Sequence, residues 1–306
     1  MHPAPSIILF TTLSGLGYGL AAVLGLGLLD ASTLSVKIAH LAALAMIAGG
    51  LLSSTLHLGN PQRAWRALSQ WQSSWLSREG VMAILTFVPL TISAWFSVVE
   101  GRYLPVAGLI GTAMCGITVY CTAMIYASLR SLQAWNTGLT PLCYLLFAAA
   151  GGFLLAAVAG YSSGTGGTVC AAIAALSVVA AWIAKHQWWT RLRTLVPLST
   201  PESATGLGNI GHVRLFERPH INDNYLTREM GFKVARKHAL KLSKIAMIAG
   251  GAVPVLLLVV AMLSGVGAVT IVASVLAVGF YALGLVVERW LFFAEASHAV
   301  MNYYGG

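Results

Sequence analysis

The chain has 306 residues, of which 58% are hydrophobic and only 9% are charged, and its mean hydropathy is +0.79. A soluble domain carries about 25% charged residues, so this composition excludes a soluble globular protein. It also excludes a disordered protein, which contains far less apolar material. We therefore expect an all-α polytopic membrane protein, with one membrane domain over residues 1–306 and no sizeable soluble domain.

Eight apolar runs are long enough to cross a bilayer, because a spanning helix needs about 20 residues. The runs are continuous rather than alternating, which predicts helices and not the strands of a barrel. They lie near residues 7–29, 36–56, 80–99, 105–128, 142–161, 168–189, 245–264 and 268–292. Small residues in the first run, among them Gly17, Gly19 and Gly25, are typical of close helix packing.

The net charge of +9 comes from 18 Lys and Arg against 9 Asp and Glu. The basic loops contain no nucleic-acid-binding motif, so we expect no nucleic-acid partner. With eight spans, 15 of the 18 basic residues lie on the membrane face that carries both termini. Only Lys37 and Arg102 lie on the other face, and Arg289 lies in the last span. By the positive-inside rule, this asymmetry predicts that both termini are cytoplasmic.

A first polar segment, residues 57–79, follows the second span. Its apolar side chains Ala64, Leu68, Trp71 and Trp75 recur at spacings of three and four residues. This periodicity predicts a short helix. The tryptophans favour a position in the membrane interface, at the depth of the lipid headgroups.

A second polar segment, residues 190–244, lies between spans six and seven. Basic residues recur in its second half at spacings near three and four, at Lys233, Arg236, Lys237 and Lys241. The pattern predicts a basic helical stripe that leads into span seven. Such a stripe binds anionic membrane lipids or an acidic soluble partner, and the residues alone leave both open.

Ionisable residues at membrane depth are costly and are therefore candidates for function. His57 ends span two, and Arg78 and Glu79 open span three after Ser77, which we expect to be the N-cap. Glu288 lies in the last span, at a depth similar to theirs. A quinone site needs donors for two carbonyl oxygens and a group that exchanges protons, which His and a partly buried Glu can supply.

Two other interpretations of these residues remain open, a purely structural role and the transport of a solute or ion. A transporter is expected to contain polar, broken helices near the middle of the membrane. The sequence shows none at the expected positions, although Pro254 lies inside span seven. The cysteines contain no CxxC pair and the histidines offer no facing axial pair, so we expect no iron–sulfur cluster or haem in this protein. Electrons would then come from a partner.

Long motifs in the sequence resemble the membrane-anchor family of DMSO reductase, the DmsC-like proteins. They are SIILFTTLSGLGYGL (6–20) and HLGNPQRAWRALSQWQSSWLSREG (57–80). Residues 200–238 and VERWLFFAEASH (287–298) are more similar to one branch, the SoeC-type membrane subunits of cytoplasmic sulfite dehydrogenase (quinone). The resemblance extends over essentially all of the sequence.

The resemblance implies a heterotrimer in the cytoplasmic membrane of a bacterium. One partner would carry molybdopterin guanine dinucleotide, and a ferredoxin-like partner would carry iron–sulfur clusters. The anchor would bind quinone, either ubiquinone or menaquinone. In the family, a His after span two and a Glu opening span three are implicated in quinol binding, and they match His57 and Glu79. We add Trp75 and Arg78 by proximity and Glu288 as a weaker candidate.

The resemblance also implies a direction of electron flow. The sulfite-oxidising branch reduces quinone, whereas the DMSO reductase branch oxidises quinol and reduces an S- or N-oxide. The branch motifs favour sulfite oxidation, and the reverse direction is the alternative.

Overall fold

A computed structural model of the protein describes residues 3–56, 60–214, 216–217, 234–265 and 267–303. Within these ranges the protein forms helices and no strand. Eight helical stretches in the described residues are long and apolar enough to cross a membrane. The predicted all-α polytopic architecture is therefore confirmed.

The first six spans are single helices, and the seventh is a composite. They are α1 (Pro5–Gly25), α2 (Leu34–Thr55), α3 (Trp75–Val98), α4 (Pro105–Ala127), α5 (Leu139–Ser163) and α6 (Gly167–Thr194). The short α7 (Pro201–Thr205) follows, and then α8 (Val234–Met247), a π-helical turn (Ile248–Ala252) and α9 (Val253–Leu263) form the seventh span. The eighth is α10 (Ala268–Ala294), and a 3-10 helix (Ala299–Tyr303) ends the described residues.

The starts of α1, α3, α5 and α8 and the ends of α2, α4, α6 and α10 lie on one side of the bundle. Ser53 of α2 donates a hydrogen bond to the Ser6 carbonyl of α1 there. Arg191 of α6 donates to the Gln133 carbonyl before α5. We call this side the basic face. It comprises the described residues 3–4, 56, 60–74, 128–138, 195–214 and 295–303.

Helix α1 lies at the centre of the fold and packs against α2, α4, α5 and α10. Its small residues make the close contacts: Gly17 lies against α2, Gly19 against the Ala148 carbonyl of α5, and Gly25 against α4. Helix backbones come this close only where the side chain is very small. The packing role predicted for these glycines is confirmed.

Span three begins earlier than the sequence suggested. The prediction that Ser77 is the N-cap is wrong, because α3 begins at Trp75 and the side chain of Ser74 accepts the Ser77 N–H. The Ser77 hydroxyl donates instead to the Ala67 carbonyl in the preceding segment. A polar first turn of the helix is tolerated here because its side chains bond to that segment.

The segment before α3 is a 3-10 helix over Pro61–Gln70. Leu68 of the predicted apolar stripe lies against α3 at Gly80, where an added methyl group would meet the Leu68 side chain. Trp71 of the same stripe is exposed. The predicted helix is therefore present in 3-10 form, and its position in the membrane interface stays a prediction.

The seventh span is interrupted one turn before Pro254. Proline has no N–H and cannot bond to the Gly250 carbonyl four residues earlier. The indole Nε1 of Trp182, in α6, donates to this carbonyl instead, at 2.8 Å. Gly250 also lies in backbone contact with Gly284 of α10. The protein thus satisfies the carbonyl that the proline leaves free. Through these two contacts, the interrupted part of span seven packs against both α6 and α10.

We expect Gly19→Ala to destabilise the protein, because the added methyl group would collide with the backbone carbonyl of Ala148, which cannot move aside. Overpacking of this kind costs about 1–3 kcal/mol. Thermal unfolding of the detergent-purified protein, followed by circular dichroism, measures the loss. Gly49→Ala is the matched control, since no neighbouring atom lies within 4 Å of its added methyl. Equal losses in the two variants would contradict this packing.

Candidate functional site

Glu79 lies near the start of α3 and is only 5% exposed. Its Oε1 atom is buried and has no hydrogen-bond partner among the described residues. A buried polar group without a partner costs free energy, and an ionisable residue inside a spanning helix is by default a functional candidate. Glu79 lies within electrostatic range of Tyr18 of α1 and Tyr126 of α4.

Arg78 and Trp75 brace the segment that leads into α3. The Nε and Nη2 atoms of Arg78 donate to the carbonyls of Trp71 and Gln72, at 2.9 and 2.6 Å. The guanidinium carbon lies 4.4 Å from the centre of the Trp75 ring. That ring meets Tyr120 of α4 edge-on, with 6.0 Å between ring centres. Arg78 therefore clamps the preceding loop to α3 and fixes the tryptophan beside α4.

The structure brings together three of the five predicted site residues, Trp75, Arg78 and Glu79, at the start of α3. His57 lies outside the described residues, so its position beside Glu79 stays a prediction. Glu288 belongs to a separate cluster in α10 and is held there by other charges.

Glu288 is the centre of a buried triad of charges. Its Oε1 atom lies 2.6 Å from Nζ of Lys185 in α6, and its Oε2 atom lies 3.3 Å from Nη1 of Arg289. All three residues are at most 2% exposed. When all three are ionised, the triad carries one net positive charge. Buried charges persist only when they are paired in this way.

Aromatic rings surround the two cations of the triad. Nζ of Lys185 lies 3.8 Å from a ring centre of Trp188 in α6. The guanidinium carbon of Arg289 lies 3.9 Å from the ring centre of Tyr144 in α5. A desolvated cation over an aromatic face gains about 2 kcal/mol. These contacts replace part of the lost hydration and hold α5, α6 and α10 together.

Sequence reasoning missed the role of Lys185, which we counted among the loop residues of the basic face. It lies inside α6 and is buried. Without Lys185, the sequence still assigns 14 basic residues to that side of the membrane and only Lys37 and Arg102 to the other. The sequence did contain a signal for this burial. Trp188 and Trp189 lie three and four positions after Lys185, so all three side chains lie on the same face of the helix.

Tyr126 lies between Glu79 and the triad. Its ring stacks on Tyr144, with 5.8 Å between centres, and meets Phe292 edge-on at 5.6 Å. Both Glu79 and Arg289 interact electrostatically with Tyr126. The tyrosine therefore lies within electrostatic range of both charged regions and packs against the ring of Tyr144 beside the triad.

A small cavity, here called the polar chamber, lies where α1, α4, α5 and α10 meet. Its lining comprises Thr11, Ser14, Gly15, Tyr18, Val119, Thr122, Tyr144, Phe147, Ala148, Leu285 and Arg289. Its volume is about 10 Å³, close to the smallest that holds one water molecule. The Tyr18 and Tyr144 hydroxyls and Nε of Arg289 are buried without hydrogen-bond partners among the described residues.

A larger apolar cavity of about 390 Å³ adjoins the polar chamber and lies between α1, α4 and α5. Tyr18, Val119 and Ala148 line both spaces. Leu26 and Leu142 at its edge are exposed on the helix surface, which would face lipid. The apolar cavity can therefore admit an elongated apolar molecule whose polar end approaches Tyr18.

Glu295 follows α10 directly and lines a pocket of about 220 Å³ at the basic face. Its Oε2 atom accepts a hydrogen bond from Nε1 of Trp189, at 2.8 Å. Burial raises the pKa of Glu295, while the Trp189 hydrogen bond and the charge of Lys185 oppose that rise. Glu295 therefore keeps its proton to a higher pH than an exposed glutamate does.

Of the residues predicted to dock a partner, Lys241 is exposed on α8. Lys233 and the side chains of Arg236 and Lys237 lie outside the described part of the structure, so the docking role of the stripe stays a prediction.

The cysteines are free and buried, as expected of small apolar residues. Cys115 and Cys121 lie in α4, Cys143 lies in α5 and Cys170 lies in α6.

Comparisons with known proteins agree on one family. The model of the DMSO reductase anchor subunit (DmsC) family matches residues 1–294, and the protein belongs to this family. The C subunit of sulfite dehydrogenase from Allochromatium vinosum is 32% identical, over 99% of each sequence. The C polypeptide of anaerobic dimethyl sulfoxide reductase from Haemophilus influenzae is also 32% identical, over 37% of this sequence and 41% of that relative. No solved structure shows significant similarity.

The triad leads to a prediction about charge balance. Glu288→Gln leaves Lys185 and Arg289 as two buried cations without a counter-ion, whereas Lys185→Met leaves Glu288 and Arg289 as a neutral pair. Removing the partner of a buried charge costs about 3–5 kcal/mol, so we expect the first variant to be much less stable. Thermal unfolding in detergent compares the two variants. A larger loss in Lys185→Met would contradict the charge assignment.

Proposed function

We propose that this protein is the quinone-binding membrane anchor of a molybdenum and iron–sulfur oxidoreductase that oxidises sulfite. In the balanced net reaction, sulfite, water and quinone give sulfate and quinol. The full-length similarity to the C subunit of a sulfite dehydrogenase supports this substrate and this direction. The anchor itself would carry the quinone site, and the sulfite chemistry would take place in a partner.

The observation that carries the quinone site is the buried carboxyl group of Glu79, whose Oε1 atom has no hydrogen-bond partner among the described residues. Quinone reduction adds two electrons and two protons, so the ring needs a proton-exchanging group beside it. Glu79 would deliver protons, and His57 would donate a hydrogen bond to one carbonyl oxygen. The clamped pair of Trp75 and Arg78 would form the wall of the headgroup slot.

The apolar cavity between α1, α4 and α5 supports the same proposal, because a membrane quinone carries a long apolar tail. Tyr18 lines that cavity and interacts electrostatically with Glu79. A tail in the cavity and a ring near Glu79 would therefore be compatible with one bound molecule. Glu288 would act on this molecule through Arg289 and Tyr126 rather than by contact.

The partners follow from the family. A ferredoxin-like subunit would bring iron–sulfur clusters to the basic face, and a second subunit would hold molybdopterin guanine dinucleotide. The basic stripe that includes Lys241 would attract an acidic surface of the iron–sulfur subunit, and membrane lipids would cover the apolar helix faces. We place the basic face in the cytoplasm of a bacterium, following its excess of Lys and Arg.

Two alternatives make different predictions. The partial similarity to a dimethyl sulfoxide reductase polypeptide favours quinol oxidation coupled to an S- or N-oxide. This reaction uses the same architecture with electrons flowing in the opposite direction. Assays with sulfite and with an S- or N-oxide distinguish the two directions. A structural anchor or a transporter would have no quinone site, and the charged residues near Glu79 would then be dispensable for electron transfer.

We expect Glu79→Gln and His57→Ala to lower the rate of sulfite-dependent quinone reduction by about a hundredfold, because a general acid–base group contributes about 10²–10⁴ to such steps. The measurement uses the purified complex and a short-tailed quinone. Ferricyanide reduction by sulfite on the same preparation should stay unchanged, since this acceptor takes electrons without protons.

Glu100→Gln is the matched control for Glu79→Gln. Glu100 follows the opposite end of α3 and pairs with the exposed Arg102, with 2.6 Å between Oε2 and Nε. This variant should keep both rates. A Glu79→Gln complex that assembles and reduces quinone at the wild-type rate would rule out the proposed site.

A further inference from the structure

The triad, the polar chamber and the pocket at Glu295 form a series of polar groups from the basic face towards Glu79. The pocket that contains Glu295 is also lined by Ser131, Gln133 and Asn302, and it lies among the loops of that face. Water can therefore reach the Glu295 carboxyl group without crossing an apolar layer.

The first inward step leads from Glu295 to Lys185. Trp189 donates its Nε1 hydrogen to Glu295, and Nζ of Lys185 lies 5.1 Å from the centre of the same indole ring. The charged side chains that interact with Glu295 are Lys185 and Arg193 from α6 and Glu288 from α10. Of these side chains, Lys185 is the buried cation, and it links Glu295 to Glu288 inside the bundle.

The second step passes through the triad into the polar chamber. Lys185 contacts Glu288 at 2.6 Å, and Glu288 contacts Arg289 at 3.3 Å. Arg289 lines the chamber together with Tyr18 and Tyr144. The chamber has room for one water molecule, which the Tyr18 and Tyr144 hydroxyls and Nε of Arg289 could bind, since these atoms have no hydrogen-bond partner among the described residues.

The last step connects the chamber to Glu79. Tyr18 lines the chamber, and Tyr126 stacks on Tyr144 of the chamber lining, with 5.8 Å between ring centres. Both tyrosines lie within electrostatic range of Glu79. Phenolic hydroxyls both donate and accept hydrogen bonds. They are therefore suited to hand a proton from a bound water to a carboxylate.

We propose that protons for quinone reduction are taken up at Glu295 and reach Glu79 by way of Lys185, Glu288 and a water molecule in the polar chamber, while Arg289 keeps its own proton and holds that water. This inference rests on the proposed function. For each quinone, two electrons come from the iron–sulfur partner and two protons come from the aqueous phase at the basic face, and one quinol leaves. Electrons and protons then come from the same side, so the reaction moves no charge across the bilayer.

Glu295→Gln tests this path. The amide oxygen can still accept the Trp189 hydrogen bond, so packing is retained, but the amide group can no longer carry a proton. On the purified complex, we expect sulfite-dependent reduction of a short-tailed quinone to fall by about tenfold or more. Ferricyanide reduction should be unchanged. Glu295→Asp, which keeps a carboxyl group, should keep most of the quinone rate, and acetate, a small diffusible acid, should partly restore the rate of Glu295→Gln.

Two results would overturn the inference in distinguishable ways. If Glu295→Gln reduces quinone at the wild-type rate, the path through Glu295 is wrong and the quinone site stands. If the wild-type complex reduces ferricyanide but never quinone, the site itself is absent and the path fails with it. The outer-face control Glu100→Gln should keep both rates, so a quinone-specific loss there would also contradict the assignment.

Discussion

The fold depends on one constraint: inside a bilayer, a charged group must find its partner within the protein. Lys185, Glu288 and Arg289 meet this requirement together, and the rings of Trp188 and Tyr144 cover the two cations. The three charged residues belong to α6 and α10, and the two rings belong to α5 and α6. The triad and its rings therefore hold these three helices of the second half of the bundle together. Helix α1 provides the corresponding centre for the first half through glycine contacts.

Three glutamates near the basic face have different environments, and these suggest different roles. Glu288 is paired with cations and is structurally constrained, Glu295 lines a pocket open to the basic face, and Glu79 is buried without a hydrogen-bond partner for Oε1 among the described residues. In our proposal, these three environments together supply protons to a buried quinone. Glu295 faces water, Glu288 lies among charges, and Glu79 lies at the buried end. The family membership gives this arrangement a redox context that residues alone do not provide.

Much of the architecture could be predicted from sequence. Each spanning helix is a local run of apolar residues, and small residues such as Gly19 indicate close helix packing. The depth of Glu79 marked it as a candidate, and the structure confirms that its side chain is buried. The pairing of Lys185 with Glu288 could not be predicted, because it joins helices far apart in the sequence. Lys185 also lies near the end of the sixth apolar run, where it was counted with the basic segment that follows. The Trp182 bond to Gly250 was missed for a similar reason, because it joins residues far apart in the sequence. The Ser74 cap is a local contact and was missed because Ser77 was taken as the capping residue instead.

The most direct test of the central claim compares unfractionated lysates, with membranes and soluble proteins together, of cells that make the partner subunits with and without this protein. Reduction of a water-soluble quinone analogue is followed after sulfite is added, with ferricyanide reduction as the measure of the soluble subunits. Our account predicts that sulfite reduces ferricyanide in both preparations and reduces quinone only when the anchor is present. Sulfite-dependent quinone reduction at equal rates without the anchor, or none with it, would contradict the account.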